Sequence, residues 1–204
     1  DNVALIHSRL SVIDIENGVQ PMMAIYGDDK YTIVYNGELY NTDEVRNELI
    51  NSGHNFITNS DTEVILKAYV QWKDECVNKF NGIFAFVIWD ENKQNLFFAR
   101  DRIGVKPFFY TIINNSFIFG SEIKALLEHK YVEPVIDENS IAEIIFLGPG
   151  RTPGCGIFKN INESTRNMGV ITKTMADVTS ANQRGFDVMV KQMAEMTVRM
   201  NGIS

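Results

Sequence analysis

The chain has 204 residues, of which 45% are hydrophobic, 22% charged and 11% aromatic, a globular mixture with enough apolar surface for a core. That composition excludes collagen-like, low-complexity and wholly disordered chains. A net charge of −7 without Lys/Arg clusters argues against non-specific nucleic-acid or anionic-membrane binding, since both need a positive footprint.

The chain opens on Asp1 and runs directly into the strand-like segment 3–6, so it is expected to start inside a domain, with no signal peptide. Further short β-branched and aromatic runs cover 10–13, 31–35, 83–89, 96–99, 108–113 and 117–119. Turn signals bound them: Asn17-Gly18, Gly27-Asp28-Asp29, Asn36-Gly37, residues 90–92 and Asn114-Asn115. The longest apolar run, 83–89, is far below the roughly 20 residues that cross a bilayer, and no membrane span is expected. Helices are expected from Asn41 to Gly53, where Asn41 and Glu44 resemble a capping box, and from Ser60 to Trp72, where Ser60 and Glu63 do the same. Two shorter helices are expected over 122–129 and 138–146. Strands followed at once by other strands favour antiparallel pairing.

Two cysteines, Cys76 and Cys155, and three scattered histidines, His7, His54 and His129, give neither a disulfide framework nor a metal-ligand spacing. No metal is expected, and a reducing cytoplasm is the expected compartment. Cys76, in Lys73-Asp74-Glu75-Cys76-Val77, reads as a buried helical position, and neither cysteine has a cationic neighbour to activate it.

Residues 162–204 follow another grammar. They lack Pro, Trp and Tyr and hold six of the eight methionines. Met168, Ile171, Met175, Val178, Asn182, Phe186, Met189, Met193, Met196, Met200 and Ile203 thread a heptad-like seam with a stutter at Asn182. One long amphipathic helix is expected there; Gly169, Gly185 and the β-branched residues leave a frayed tail as the alternative.

Polar residues that interrupt the strand pattern are the candidates for chemistry. Asn36-Gly37 after a β run is either a type I′ hairpin turn or a pair of donors for a developing oxyanion. Asp61 after Ser60 reads as a complement to a helix N-terminus. Arg9 is either a solvated strand residue or a bidentate carboxylate clamp.

In order along the chain these segments resemble class II glutamine amidotransferases. The matching blocks are Ile6-His7-Ser8-Arg9-Leu10-Ser11-Val12-Ile13-Asp14, Tyr35-Asn36-Gly37-Glu38-Leu39-Tyr40-Asn41, Ser60-Asp61-Thr62-Glu63-Val64-Ile65 and Phe80-Asn81-Gly82-Ile83-Phe84-Ala85-Phe86. Ala99-Arg100-Asp101-Arg102-Ile103-Gly104-Val105-Lys106-Pro107 and Gly120-Ser121-Glu122-Ile123-Lys124-Ala125-Leu126 follow. Together with Leu147-Gly148-Pro149-Gly150-Arg151-Thr152-Pro153, the later blocks are most similar to glutamine-hydrolysing asparagine synthetase, over residues 1–161.

The resemblance implies an α+β fold of the N-terminal-nucleophile hydrolase type, an αββα sandwich with antiparallel sheets, and L-glutamine as substrate. It implies that Arg9 takes the glutamine α-carboxylate and that Leu10, Ser11, Val12 and Ile13 belong to the substrate strand, with Val12 lining the pocket. Asn36 and Gly37 would form the oxyanion hole, and Glu38 and Asp61 would hold the α-ammonium. In the family an N-terminal Cys attacks the amide, and a second domain uses ATP and Mg to make asparagine from aspartate.

No Cys precedes His7 and no Ser-Gly-Gly pyrophosphatase loop occurs, so this domain is expected to lack its N-terminal segment, to carry no cofactor of its own and to be inactive as a glutaminase. Residues 162–204 are expected to be of unrelated origin and weakly resemble a signalling helix of chemotaxis receptors. A second reading therefore makes the chain a non-catalytic interaction or signalling module that self-associates through this Met-rich helix.

Overall fold

A computed structural model describes residues 3–8, 18–114, 116–147, 158–163 and 171–174. The chain divides into two compact units, residues 1–101 with 170–174, and residues 102–169 with 175–204.

The first unit holds a five-stranded sheet in the order β1-β2-β3-β4-β8. Its strands are β1 (Met22–Tyr26), β2 (Asp29–Leu39), β3 (Gly82–Asp90), β4 (Asn95–Arg100) and β8 (Ile171–Thr174). Every neighbouring pair is antiparallel, as the close spacing of strands predicts. The expected runs at 31–35, 83–89 and 96–99 are strands with slightly wider bounds, whereas residues 3–6 are not in a strand. Strand β1 was not expected. It pairs with β2 through a tight turn in which Gly27 takes a left-handed φ of 61°.

Between β2 and β3 lie α1 (Thr42–Asn51), α2 (Asp61–Trp72) and a 3-10 helix over Lys73–Lys79. Helix α1 buries only Val45 and Leu49, whereas α2 buries every residue from Asp61 to Tyr69. Such a helix sits inside the unit rather than on it. It packs on α1, β2 and β1, and Ile33, Leu49, Ile65, Leu66, Phe86, Ile88 and Phe97 are fully buried in the unit's core. Each of these side chains contributes about 1.5–3 kcal/mol by leaving water.

The capping expectations are half met. Ser60 caps α2 by accepting from the Thr62 N–H at 3.0 Å, but Glu63 does not return the bond to Ser60. It accepts from Ile57 N–H, Thr58 N–H and the Thr58 hydroxyl. Asn41 stands at the N-cap of α1 and makes no side-chain cap bond. Its amide instead donates to the Lys79 carbonyl at 2.8 Å and accepts from the Asn81 N–H at 2.9 Å.

The second unit holds a three-stranded sheet in the order β6-β5-β7, from β5 (Phe109–Ile113), β6 (Ser116–Gly120) and β7 (Asn162–Glu163), with helices α3 (Ile123–Leu127) and α4 (Glu138–Leu147). Its core gathers Leu126, Val132 and Ile161 against Phe109, Ile113, Ile118 and Phe158.

The helix expected over 162–204 is corrected at its start. Residues 162–163 and 171–174 are strands on the edges of β5 and β4. The reason is local: Ile171, Thr172 and Thr174 are β-branched, and the edge of β4 offers backbone partners that a helix there would leave unpaired. The rest of the expected helix lies outside the described residues.

Candidate functional site

Asn36, Gly37 and Glu38 are not a hairpin turn. They continue β2, facing Ala85, Phe84 and Ile83 of β3 in register. Strand β3 approaches closely here: a Cβ on Gly37 would lie 2.2 Å from the Ile83 carbonyl oxygen and 2.7 Å from Phe84 Cα. Only glycine fits at that distance.

Opposite Gly37, Phe84 turns both backbone groups toward Asp101. The Phe84 N–H donates to Asp101 Oδ2 at 3.3 Å, and the Asp101 N–H donates to the Phe84 carbonyl at 2.7 Å. Residues Tyr35 and Leu39, two positions either side of Gly37, direct their N–H groups to the other edge of β2. The Tyr35 N–H donates to Gln20 Oε1 at 2.6 Å and the Leu39 N–H to Asp61 Oδ2 at 3.3 Å. Strand alternation aims the Gly37 N–H at the same edge, between Gln20 and Asp61. Strand β1 does not cover it, because its pairing with β2 ends at Ile33.

Asp61 is the first residue of α2, and the Ser60 cap fixes where that helix starts. Its carboxylate reaches across to β2: the buried Tyr35 hydroxyl donates to Oδ2 at 2.8 Å, beside the Leu39 N–H. Gln20 adds a second tie between the same elements, accepting from Tyr35 and donating to Thr62 Oγ1 at 3.4 Å. Burial, then the charge and hydrogen bond of Asp61, then the charge of Glu38 push the Tyr35 hydroxyl far above its usual pKa. Asp61 and Glu38 thus act on one hydroxyl from two elements, Asp61 buried and Glu38 exposed. Asn36 is half-buried next to them.

The loop before α2 is pinned from three sides. Arg46 donates to the Thr58 carbonyl at 2.9 Å and the Ser60 carbonyl at 3.1 Å, and its guanidinium lies 4.3 Å from the centre of the Phe56 ring. Lys67 covers the same ring, donates to the Asn55 carbonyl and pairs with Glu63 at 2.6 Å. Burial alone would raise the Glu63 carboxyl; the Lys67 ammonium and the Ile57 and Thr58 donors outweigh it and hold the pKa below its usual value.

The site residues predicted from the sequence thus divide in two. Asn36, Gly37, Glu38 and Asp61 meet where β2 ends and α2 begins. Arg9, Leu10, Ser11, Val12 and Ile13 lie outside the described residues. Cys76 is fully buried in the 3-10 helix, and burial, then Asp74, raise its thiol pKa. Cys155 lies outside the described residues. Among the described residues no cluster of three His, Cys, Asp or Glu could hold a metal ion, and no helix is long and apolar enough to cross a membrane. The sequence reading missed Tyr35 and Gln20. Tyr35 sits in an apolar run where an aromatic reads as core, and Gln20 in a segment with no element signal.

The family described as glutamine amidotransferase domain matches residues 1–199. Asparagine synthetase [glutamine-hydrolyzing] 3 of Bacillus subtilis (strain 168) is 57% identical over 157 residues, covering 77% of this chain and 26% of the relative. Asparagine synthetase [glutamine-hydrolyzing] 1 of the same organism is 50% identical over 119 residues, covering 58% and 18%. The chain therefore spans about a quarter or less of the length of these two relatives. Among solved structures, glutamine phosphoribosylpyrophosphate (PRPP) amidotransferase from B. subtilis, complexed with ADP and GMP, superposes with a TM-score of 0.50 at 19% identity. That match covers 74% of this chain and 32% of the other, and shows a shared fold of the N-terminal-nucleophile amidotransferase type. With antiparallel sheets, the blocks around Asn36 and Asp61 and a family match over nearly its whole length, the chain belongs to the glutamine amidotransferase domain family.

Proposed function

We propose that the chain forms the glutamine site of an asparagine synthetase-like amidotransferase, in which the side-chain amide of L-glutamine is hydrolysed to glutamate and ammonia. The observation that carries this reading is the stretch of β2 beyond its pairing with β1, which ends at Ile33. There the Gly37 N–H is aimed between Gln20 and the Asp61 carboxylate, and Asn36 and Glu38 are its neighbours along the strand.

A zwitterionic amino acid needs a cation for its carboxylate and anions for its ammonium. In this reading Arg9 supplies the first, and Asp61 with Glu38 the second. The side-chain carbonyl oxygen, negative in the tetrahedral intermediate, takes hydrogen bonds from the Asn36 amide and the Gly37 N–H. One such donor contributes about 3–4 kcal/mol to transition-state stability. Cys76 is too buried to attack, and the N-terminal Cys that the resemblance calls for is not among these 204 residues, so by themselves they are expected to bind glutamine without turning it over. Transfer of the ammonia to aspartate, with ATP and Mg, is what the resemblance to glutamine-hydrolysing asparagine synthetase implies for a second domain.

Calorimetric titration of the chain with glutamine, alongside Asp61→Asn and Glu38→Gln, tests the reading. Each substitution is expected to weaken binding about tenfold, as a charged ligand group loses its partner. Binding that ignores both substitutions, or no binding by the parent chain, would refute the placement of the site. An assay for ammonia release from the same samples is expected to stay at the buffer blank.

A further inference from the structure

We infer that Tyr35 is a positioning residue that sets selectivity for ligands bearing an α-ammonium group, by fixing which oxygen of Asp61 faces the site. This rests on the proposed glutamine site and deepens it. The Tyr35 hydroxyl at 2.8 Å and the Leu39 N–H at 3.3 Å both end on Asp61 Oδ2, and neither uses Oδ1. Two donors on one oxygen lock the rotation of the carboxylate and leave Oδ1 for an incoming cation.

The tyrosine is itself held at both ends. Its ring is buried, and its backbone N–H is taken by Gln20, which also binds Thr62, the neighbour of Asp61. It therefore joins strand and helix as one unit, so the carboxylate is placed before the ligand arrives. Burial, then the charge and hydrogen bond of Asp61 and the charge of Glu38, hold the hydroxyl's pKa far above its usual value, so at neutral pH it stays protonated and donates to Oδ2. A donor on Oδ2 also spreads the charge of a buried carboxylate that would otherwise be poorly solvated until the ligand binds.

Only the ammonium end of the ligand should sense Tyr35. The experiment compares glutamine with 4-carbamoylbutanoate, which has the same amide and carboxylate but no amine, by calorimetry on the parent chain and on Tyr35→Phe. The variant is expected to bind glutamine about tenfold more weakly and the desamino ligand as the parent does. Introducing Tyr35→Phe into Asp61→Asn is expected to add no further loss. Equal weakening for both ligands, which a merely structural role would give, or no change for either, would overturn the assignment of Tyr35 while leaving the glutamine site standing. Failure of the parent to bind glutamine would overturn both. Should Tyr35→Phe fold poorly, p-aminophenylalanine at position 35 keeps the ring and a donor, and must retain the parent's preference for glutamine over the desamino ligand; losing it counts against the inference.

Discussion

Gly37 and Phe84 face each other across β2 and β3 so closely that a β-carbon on Gly37 would sit 2.7 Å from Phe84 Cα and 2.2 Å from the Ile83 carbonyl oxygen. Both obstacles are backbone, so no rotamer change relieves the overlap. Gly37→Ala is expected to cost about 2–4 kcal/mol, the range of severe single substitutions, because the two strands must part. Chemical denaturation of the variant against the parent measures it. A loss near zero would show that β3 does not approach as described.

The buried Glu63–Lys67 pair yields a pH signature. Glu63 carries a depressed pKa in the fold, against 4.5 for the ordinary side chain. Its contribution to stability is therefore complete above the unfolded value and is lost as pH falls through the lower folded value. Glu63→Gln leaves Lys67 without its counter-charge and is expected to cost about 3 kcal/mol at neutral pH. The gap between parent and variant should close as the solution is acidified below about 4.5. Urea denaturation at a series of pH values reads the gap directly. A gap that stays constant on acidification would mean that Glu63 acts through shape and not through charge.

Cys76 is expected to behave as a core atom. In a Cys155→Ser background, a thiol reagent should find no reactive group in the folded chain and one in denaturant. Labelling should follow global unfolding, since the thiol is buried and its pKa raised. Rapid labelling of the native protein would reopen Cys76 as a reactive residue.

The elements that the sequence made legible are those written in local chemistry. Strands β2, β3 and β4 are dense in β-branched and aromatic residues, and α2 begins at a serine that does cap it. Strand β1 is different: Met22-Met23-Ala24 favours helix, and the segment is extended because β2 offers an edge and Gly27 turns the chain back. The Asn36-Gly37 pair shows the same limit from the other side. Its local signal says turn, but the backbone of β3 lies against Gly37 and the pair stays in the strand. Family likeness singled out Asp61, yet what fixes its carboxylate could not be read from spacing. The Tyr35 bond spans 26 positions, and nothing near either residue encodes it.

Asn41 offers the sharpest separation of local from tertiary roles. Its sequence context reads as a helix cap, and at an N-cap Asp serves about as well as Asn. In the fold, however, the Asn41 amide donates to the Lys79 carbonyl and accepts from the Asn81 N–H, beside a backbone bond of 2.8 Å from Tyr40 to Asn81. That bridge ties the end of β2 to the residues entering β3, and it needs a donor and an acceptor on one side chain. Asp keeps the acceptor and sets a carboxylate oxygen against the Lys79 carbonyl. Asn41→Asp is therefore expected to lose about 1–2 kcal/mol, as much as Asn41→Ala, because the orphaned carbonyl is left with a repulsive partner. Denaturant midpoints of the two variants decide the matter: parent-like stability in Asn41→Asp, with a loss only in Asn41→Ala, would return Asn41 to the role of a cap.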